Sequence, residues 1–184
     1  MQNPTPTDAE LLAGLLRGDR HLLGQIYARY KVPLYRFCLR MLRDEARAED
    51  AVHDTFVKLA RQHAGIARPD ALRSWLFRVA RNEVFMSMRR ASPLPLDAAG
   101  DIMDPSTPQE ALEQAEGSAL VHALLDALRP EYREVLLLKE FEEMRYTEIA
   151  MVTGSTESAV RSRLFKARQA LLGKGTDLLK ERRR

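Results

Sequence analysis

A chain of 184 residues, 45% apolar and 30% charged, can bury one ordinary core or two small ones, which excludes a wholly disordered protein. No apolar run approaches the roughly 20 residues of a bilayer-spanning helix, and the opening MQNPTPTDAELL lacks a secretion signal's basic and apolar blocks, so no membrane insertion is expected. The net charge of +3 is unevenly spread, with 16 Lys/Arg against 10 Asp/Glu in residues 1–90, none against 6 in 91–116, and 13 against 10 in 117–184. Two basic blocks therefore flank a wholly acidic connector.

Thr7 with Glu10 three residues on is a capping box, opening a short helix through Leu11, Leu12, Leu15 and Leu16. Gly18-Asp19 punctuates it. Leu22, Ile26, Tyr30, Phe37 and Met41 then recur at helical spacing, and Pro33 is expected to kink or break that element. Cys38, the single cysteine, lies in this pattern; it allows no internal disulfide and reads as a buried, inert thiol suited to a reducing compartment. Asp44 restarts a helix whose apolar face is Val52, Phe56 and Leu59, and Gly65 and Pro69 make 61–70 a loop. A helix over roughly 70–90 turns Leu72, Leu76, Val79, Ala80 and Val84 inward and Arg73, Arg78, Arg81, Arg89 and Arg90 outward. Nothing alternates with the period of two that marks a strand.

Residues 91–116 hold four of the nine prolines, with no cation and few bulky apolar side chains, and read as a linker. Helical period returns from Gly117 with Leu120, Leu124, Leu125 and Leu128. Pro130 opens a helix carrying Val135, Leu136, Leu138 and Phe141. After a turn near Met144-Arg145, Thr147 is expected to cap a helix over 148–153, and a basic helix follows over about 157–172.

The stretch EIAMVTGSTESAVRSRLFKAR (148–168) has the form of a helix-turn-helix. Ala150 is small where two helices cross, and Gly154 can take the positive φ of a tight turn. Val160, Leu164, Ala167 and Leu171 form one face, to pack on Ile149 and the preceding helices. The opposite face carries Ser158, Arg161, Ser162, Phe165 and Arg168, with Arg163 and Lys166 on its flanks. Arginine there can contact phosphates or read guanine bidentately. A solvated amphipathic helix is the plainer alternative, but turn, small residue and charge placement agree on DNA.

Catalytic patterns are missing. His21, His53, His63 and His122 are scattered, with no HExxH, no Gly-rich phosphate loop and no CxxC pair. Glu49 and His53 could form half a metal site, but no third ligand is evident.

In their order and spacing, AEDAVHDTFVKLAR (48–61), ALRSWLFRVARNEVFMSMRR (71–90), the acidic connector and LRPEYREVLLLKEFEEMRYTEIAMVTGSTESAVRSRLFKARQAL (128–171) resemble the extracytoplasmic-function (ECF) group of sigma-70 family factors. The resemblance spans about residues 8 to 172. It implies an all-α protein of two small helical domains: sigma region 2 over 8–90, a flexible acidic linker over 91–116, and helix-turn-helix sigma region 4 over 117–184. It also implies a transcription initiation factor, not an enzyme and without cofactor or metal, that binds core RNA polymerase, directs it to promoters and promotes −10 melting.

By the same resemblance, Glu49, Asp50, His53, Asp54 and Phe56 would meet the clamp helices of the largest polymerase subunit, with the flap of the second-largest subunit as a further contact. Without it, the three carboxylates would read as a solvated acidic face. The melted −10 strand would be held by Arg61, Arg73, Trp75, Arg78, Arg81, Asn82, Arg89 and Arg90, since single-stranded bases need stacking surfaces and a cationic track. Trp75, Phe77 and Phe85 are the aromatic candidates; for Trp75 and Phe85, burial in the core is the competing reading. The loop 61–70 and Asn82 would capture a flipped base, whose edges an amide can read. The −35 element would be met by Thr156, Glu157, Ser158, Arg161, Ser162, Arg163, Phe165, Lys166 and Arg168. An anti-sigma partner is implied too, with a cytoplasmic location and an anti-sigma factor as the route to any membrane tether.

Four departures stand out. Thr153 and Ser155 occupy positions that are commonly apolar in the family, and Glu142-Glu143-Met144-Arg145 replaces a Gly-containing turn. Met86 stands where an acidic residue is common, and His53 where glutamine is. A stand-alone helix-turn-helix regulator is the rival reading; it would need a dimerisation surface or sensor domain, which residues 1–90 do not resemble.

Overall fold

Thr7 begins the first helix as its capping box dictates. Its hydroxyl accepts the Glu10 N–H, and the Glu10 carboxylate accepts the Thr7 N–H at 2.7 Å. The Thr7 N–H, together with the Thr7 hydroxyl that donates to the same carboxylate at 2.9 Å, holds the Glu10 carboxyl below the usual range. The computed structural model describes residues 6–66, 68, 71–90, 121 and 123–181. The expected linker, together with Gly117, Leu120 and His122, lies outside the described residues. All regular structure among the described residues is helical. The contact pattern divides the chain into two compact units: the first holds four helices, α1 (Asp8–Leu16), α2 (His21–Leu42), α3 (Glu45–Gln62) and α4 (Leu72–Arg90). The second holds α5 (Pro130–Leu136), most of α6 (Tyr146–Thr153) and α7 (Glu157–Glu181).

In the first unit, Gly18 at φ +94 turns the chain, and Asp19 Oδ1 accepts the His21 N–H at 3.1 Å to start α2. Of the two expected outcomes at Pro33, a kink or a break, the break does not occur, and α2 runs through it. Proline inside a helix costs about 3 kcal/mol, but Ile26, Tyr30, Leu34 and Phe37 are buried on both sides of it, and their burial outweighs the lost bond. The helix stops instead at Arg43, a non-glycine residue at φ 57. Asp44 then caps α3, its side chain accepting the Arg47 N–H at 2.9 Å.

The core of this unit is Leu11, Leu12, Ile26, Leu34, Phe37, Met41, Leu59, Leu72, Leu76 and Phe77. Phe37 and Phe77 meet edge-on at 5.7 Å. The Asp8 carboxylate fastens α1 to α2 by accepting from Arg29 at 2.6 Å and from the Tyr30 hydroxyl. Burial raises the Tyr30 phenol pKa, and Asp8 adds to the shift. Cys38 is wholly buried, which pushes its thiol up to about 12, so it is an inert packing residue. The expected loop is shorter than 61–70. Arg61 and Gln62 finish α3, a 3-10 turn covers His63–Gly65, and residues 67, 69 and 70 lie outside the described residues.

In the second unit, Arg133 is nearly buried and ties α5 to the helical residues 123–126. It donates from Nε to the Leu125 carbonyl and from Nη2 to the Asp126 carbonyl, both at 2.9 Å. α5 runs into a π turn, Leu137–Phe141, whose wider winding carries the Glu142 N–H to the Leu137 carbonyl. The extra residue throws the 3.6-residue period off by one. Of the apolar residues this helix carries, Val135, Leu136 and Leu138 are buried, but Phe141 is exposed.

Glu143 then takes φ 52, the conformation a glycine would adopt without strain, and Met144 is fully buried. α6 starts at Tyr146, so Thr147 is not its cap. The Glu148 carboxylate accepts the Arg145 N–H at 2.8 Å instead. Gly154 sits at φ 63 with nothing within 4 Å of a would-be Cβ, so backbone conformation alone requires it. Gly154→Ala should therefore destabilise by about 1–2 kcal/mol, whereas Glu143→Gly should stabilise by about 1 kcal/mol. Urea unfolding of the full chain reads both.

Candidate nucleic-acid interface

Burial of Leu72, Leu76, Ala80 and Val84 decides which side of α4 faces outward. Positions 75, 78, 82, 85 and 89 recur at helical spacing and share that side. Arg78, Asn82 and Arg89 are exposed, while Trp75, Arg81 and Phe85 are half-buried. The Arg81 guanidinium lies over the Phe85 ring, 4.5 Å from its centroid, and a pocket of about 340 Å³ opens beside them. Lys58, Arg81, Asn82, Glu83, Phe85, Met86 and Arg89 line it. An aromatic–guanidinium stack beside an exposed amide and two further cations can offer a flat surface for a base to stack on, read its edge and hold its phosphates.

Four expected strand-holding residues stand apart. Phe77 is fully buried against Phe37 and cannot stack a base; Arg73 lies over that same ring at 6.0 Å. Arg90 lines a second groove, of about 180 Å³, with Arg47, Asp50, His53 and Asp54 of α3. Arg61 is exposed on the last turn of α3 and does not line the α4 pocket.

Two lining residues escaped the sequence reading. Glu83 is 6% exposed and pairs with Lys58, which reaches across from α3. Met86 lacks the acid common at that position, and Glu83 supplies one a turn earlier on α4. That shift was the available signal, but only the fold pairs it with a cation.

On α3, Glu49, Asp50, His53 and Asp54 are exposed and form an acidic face. Phe56 is not part of that surface. It is 8% exposed and packs at a tilt against Tyr27 with centroids 4.7 Å apart, because the apolar side of α3 must close over α2. Arg47 Nε donates to Ser87 Oγ at 2.8 Å, bracing this face against α4.

α7 turns Val160, Leu164 and Ala167 inward and leaves Ser158, Arg161, Ser162, Phe165, Lys166 and Arg168 exposed; Arg163 and Glu157 are half-buried. Phe165, at 65% exposure, places a large apolar ring on the same outward face as the arginines. Thr156 is the N-cap, accepting the Ala159 N–H at 3.2 Å, and so shapes the helix start. The polar turn closes through the backbone, the Ser155 N–H donating to the Ala150 carbonyl. Two of the arginines are engaged. Arg168 pairs with Glu140 at 2.6 Å, and Arg161 lies 3.6 Å from Glu157 and 4.8 Å from the Tyr146 centroid. Neither Tyr146 nor Glu140 was foreseen.

Fold and surfaces together define, over the described residues, a helical protein of two units, each carrying arginines and an aromatic side chain on an outward helix face. The family description "Sigma-70 region 2" matches residues 26–93, and "Sigma-70, region 4" matches 118–171. The ECF RNA polymerase sigma factor SigM of Bacillus subtilis is 30% identical over 152 residues, covering 81% of this chain and 92% of that protein. SigM of Mycobacterium tuberculosis is 31% identical over 166 residues, covering 90% and 83%. RNA polymerase sigma-H factor of Pseudomonas aeruginosa is 28% identical over 176 residues, covering 89% and 91%. The structure of CnrH in complex with the cytosolic domain of CnrY superposes with a TM-score of 0.70 at 28% identity, covering 95% of this chain and 97% of that one. The fold is shared as well with the sigma factor RpoE of Bartonella quintana, solved with the anti-sigma factor NepR, at a TM-score of 0.67 and 22% identity over 85% and 96%. The chain belongs to the ECF sigma factors of the sigma-70 family. It is a transcription initiation factor and not an enzyme. Among the described residues, no helix is long and apolar enough to cross a membrane.

Proposed function

We propose that the chain binds core RNA polymerase and divides promoter recognition between its two ends. Residues 8–90 act as the polymerase-docking and −10 unit, 91–116 as the tether, and 117–184 as the −35 unit. The exposed carboxylates Glu49, Asp50 and Asp54, with His53, meet the basic clamp helices of the largest subunit, and the second unit meets the flap of the second-largest. α7 enters the −35 major groove with Ser158, Arg161, Ser162 and Phe165 leading, while Arg163 and Lys166 contact phosphate. The acidic tether follows the basic RNA-exit path by imitating nucleic-acid charge. The setting is the bacterial cytoplasm, where an anti-sigma factor holds the chain inactive.

The observation that carries this reading is the outward face of α4. Asn82 is exposed beside the Arg81–Phe85 stack, over a pocket of about 340 Å³. A duplex-only binder has no use for an aromatic–cation slot, whereas a strand-separating factor needs one to offset lost base stacking. Melting is then driven by binding energy, without nucleotide hydrolysis.

The test is transcription in vitro on a randomised promoter library with core polymerase alone or with the chain added. Promoter-specific transcripts that require both components support the reading. Tight, sequence-specific binding by a dimer of the chain, with no need for core enzyme, would sink it in favour of a stand-alone regulator.

A further inference from the structure

Tyr146 occupies an unusual place in the second unit. Its ring has the Arg161 guanidinium 4.8 Å from its centroid and the Lys139 ammonium 5.1 Å away. Lys139 is itself anchored, donating from Nζ to the Met144 carbonyl at 3.2 Å. Arg161 sits in the first turns of α7, where a recognition helix reads base edges, and its side chain is 64% exposed. Glu157, one turn earlier, lies 3.6 Å from the same guanidinium. An exposed i,i+4 pair holds such a side chain weakly. A ring adds a directional restraint, because a guanidinium on an aromatic face keeps its edge N–H groups free to donate.

We propose that Tyr146 is a specificity-determining positioning residue, whose ring holds Arg161 in the pose that reads a base of the upstream promoter element. This rests on α7 entering the −35 groove. A free arginine must be ordered on binding, and when mobile it can satisfy itself on a phosphate as well as on a base. Held on Tyr146, it offers its donor fork to one base edge. Arg168 is paired with Glu140 instead, and contributes to affinity without this discrimination.

The experiment measures base preference at each −35 position with reconstituted holoenzyme on a randomised −35 library, together with the salt dependence of binding. The variants are Tyr146→Phe, Tyr146→Leu, Arg161→Ala, Arg161→Lys and the double Tyr146→Leu/Arg161→Ala. Arg161→Ala identifies the position it reads. Tyr146→Leu should lower preference at that position alone by roughly two- to fivefold, the range of an exposed cation–π contact, with the salt slope unchanged. Tyr146→Phe should keep the preference, and the double variant should be no worse than Arg161→Ala. Arg161→Lys, a surface change that leaves folding intact, should lose the preference while keeping its phosphate attraction.

Equal losses at every position in Tyr146→Leu, or additive losses in the double variant, would mean a merely structural tyrosine and overturn the proposal. Failure of Tyr146→Phe to preserve the preference, or full preference in Arg161→Lys, would also overturn it. A flat profile in Arg161→Ala would instead remove the underlying assignment of Arg161 to the −35 groove, and the proposal with it.

Discussion

With Asn82 and Arg81 both replaced by alanine, open-complex formation falls about a hundredfold while core-polymerase affinity stays within about twofold. Two separate contacts are lost. Asn82 presents an exposed amide that can donate and accept to a flipped base. Arg81 provides the cationic lid on the Phe85 ring. Base stacking of this kind contributes about 1–3 kcal/mol, and every 1.4 kcal/mol is a factor of ten. Permanganate reactivity of promoter thymines reads melting, and a titration of core enzyme reads docking. Asn82 is exposed and Arg81 half-buried, so the unfolding midpoint should barely move. Lost core binding would contradict the division of labour between α3 and α4.

Lys58→Met should lower the unfolding free energy of the first unit by about 2 kcal/mol, less than the 3–5 kcal/mol typical of breaking a fully buried ion pair. The discount follows from exposure: Lys58 is 40% open to solvent, whereas Glu83 is 6%. Removing the cation strands a carboxylate in the wall of the base pocket. Replacing both partners, as in Lys58→Met/Glu83→Leu, should recover most of the loss, because no charge is then left without a partner. Urea unfolding followed by circular dichroism separates the cases. If the single change costs under about 0.5 kcal/mol, the contact is an ordinary surface pair.

The features legible in the sequence were those decided within a few residues. Thr7 and Glu10 cap each other across one turn, Asp44 begins α3, and Gly154 takes the positive φ its turn demanded. The all-helical class followed from spacing, and the family from the order of motifs. Misjudgements arose where tertiary burial outvoted a local rule. Pro33 stayed inside α2 because Leu34 and Phe37 were held by the core. Phe77 and Phe85 look alike on paper, yet one is fully buried in the core and the other is half-buried in the wall of the α4 pocket. Pairs such as Lys58 with Glu83 and Arg168 with Glu140 join residues 25 and 28 positions apart, a distance no periodicity encodes. The Thr147 cap was misplaced by the pull of a hydroxyl near a helix start; the acid at Glu148 did the capping from inside the helix.

The π turn at Leu137–Phe141 gives the second unit one residue of slack. Five residues of π winding turn through about as much, and climb about as far, as four residues of α-helix. Loss of a single residue from that stretch would relax it to ordinary winding and leave the helices downstream facing much as they do now. The same loss within the regular winding of α5 would instead rotate everything downstream by about 100°. Among related chains, a one-residue gap at the π turn would therefore predict an unchanged presentation of Arg161 and Phe165, where the same gap a turn earlier would redirect them.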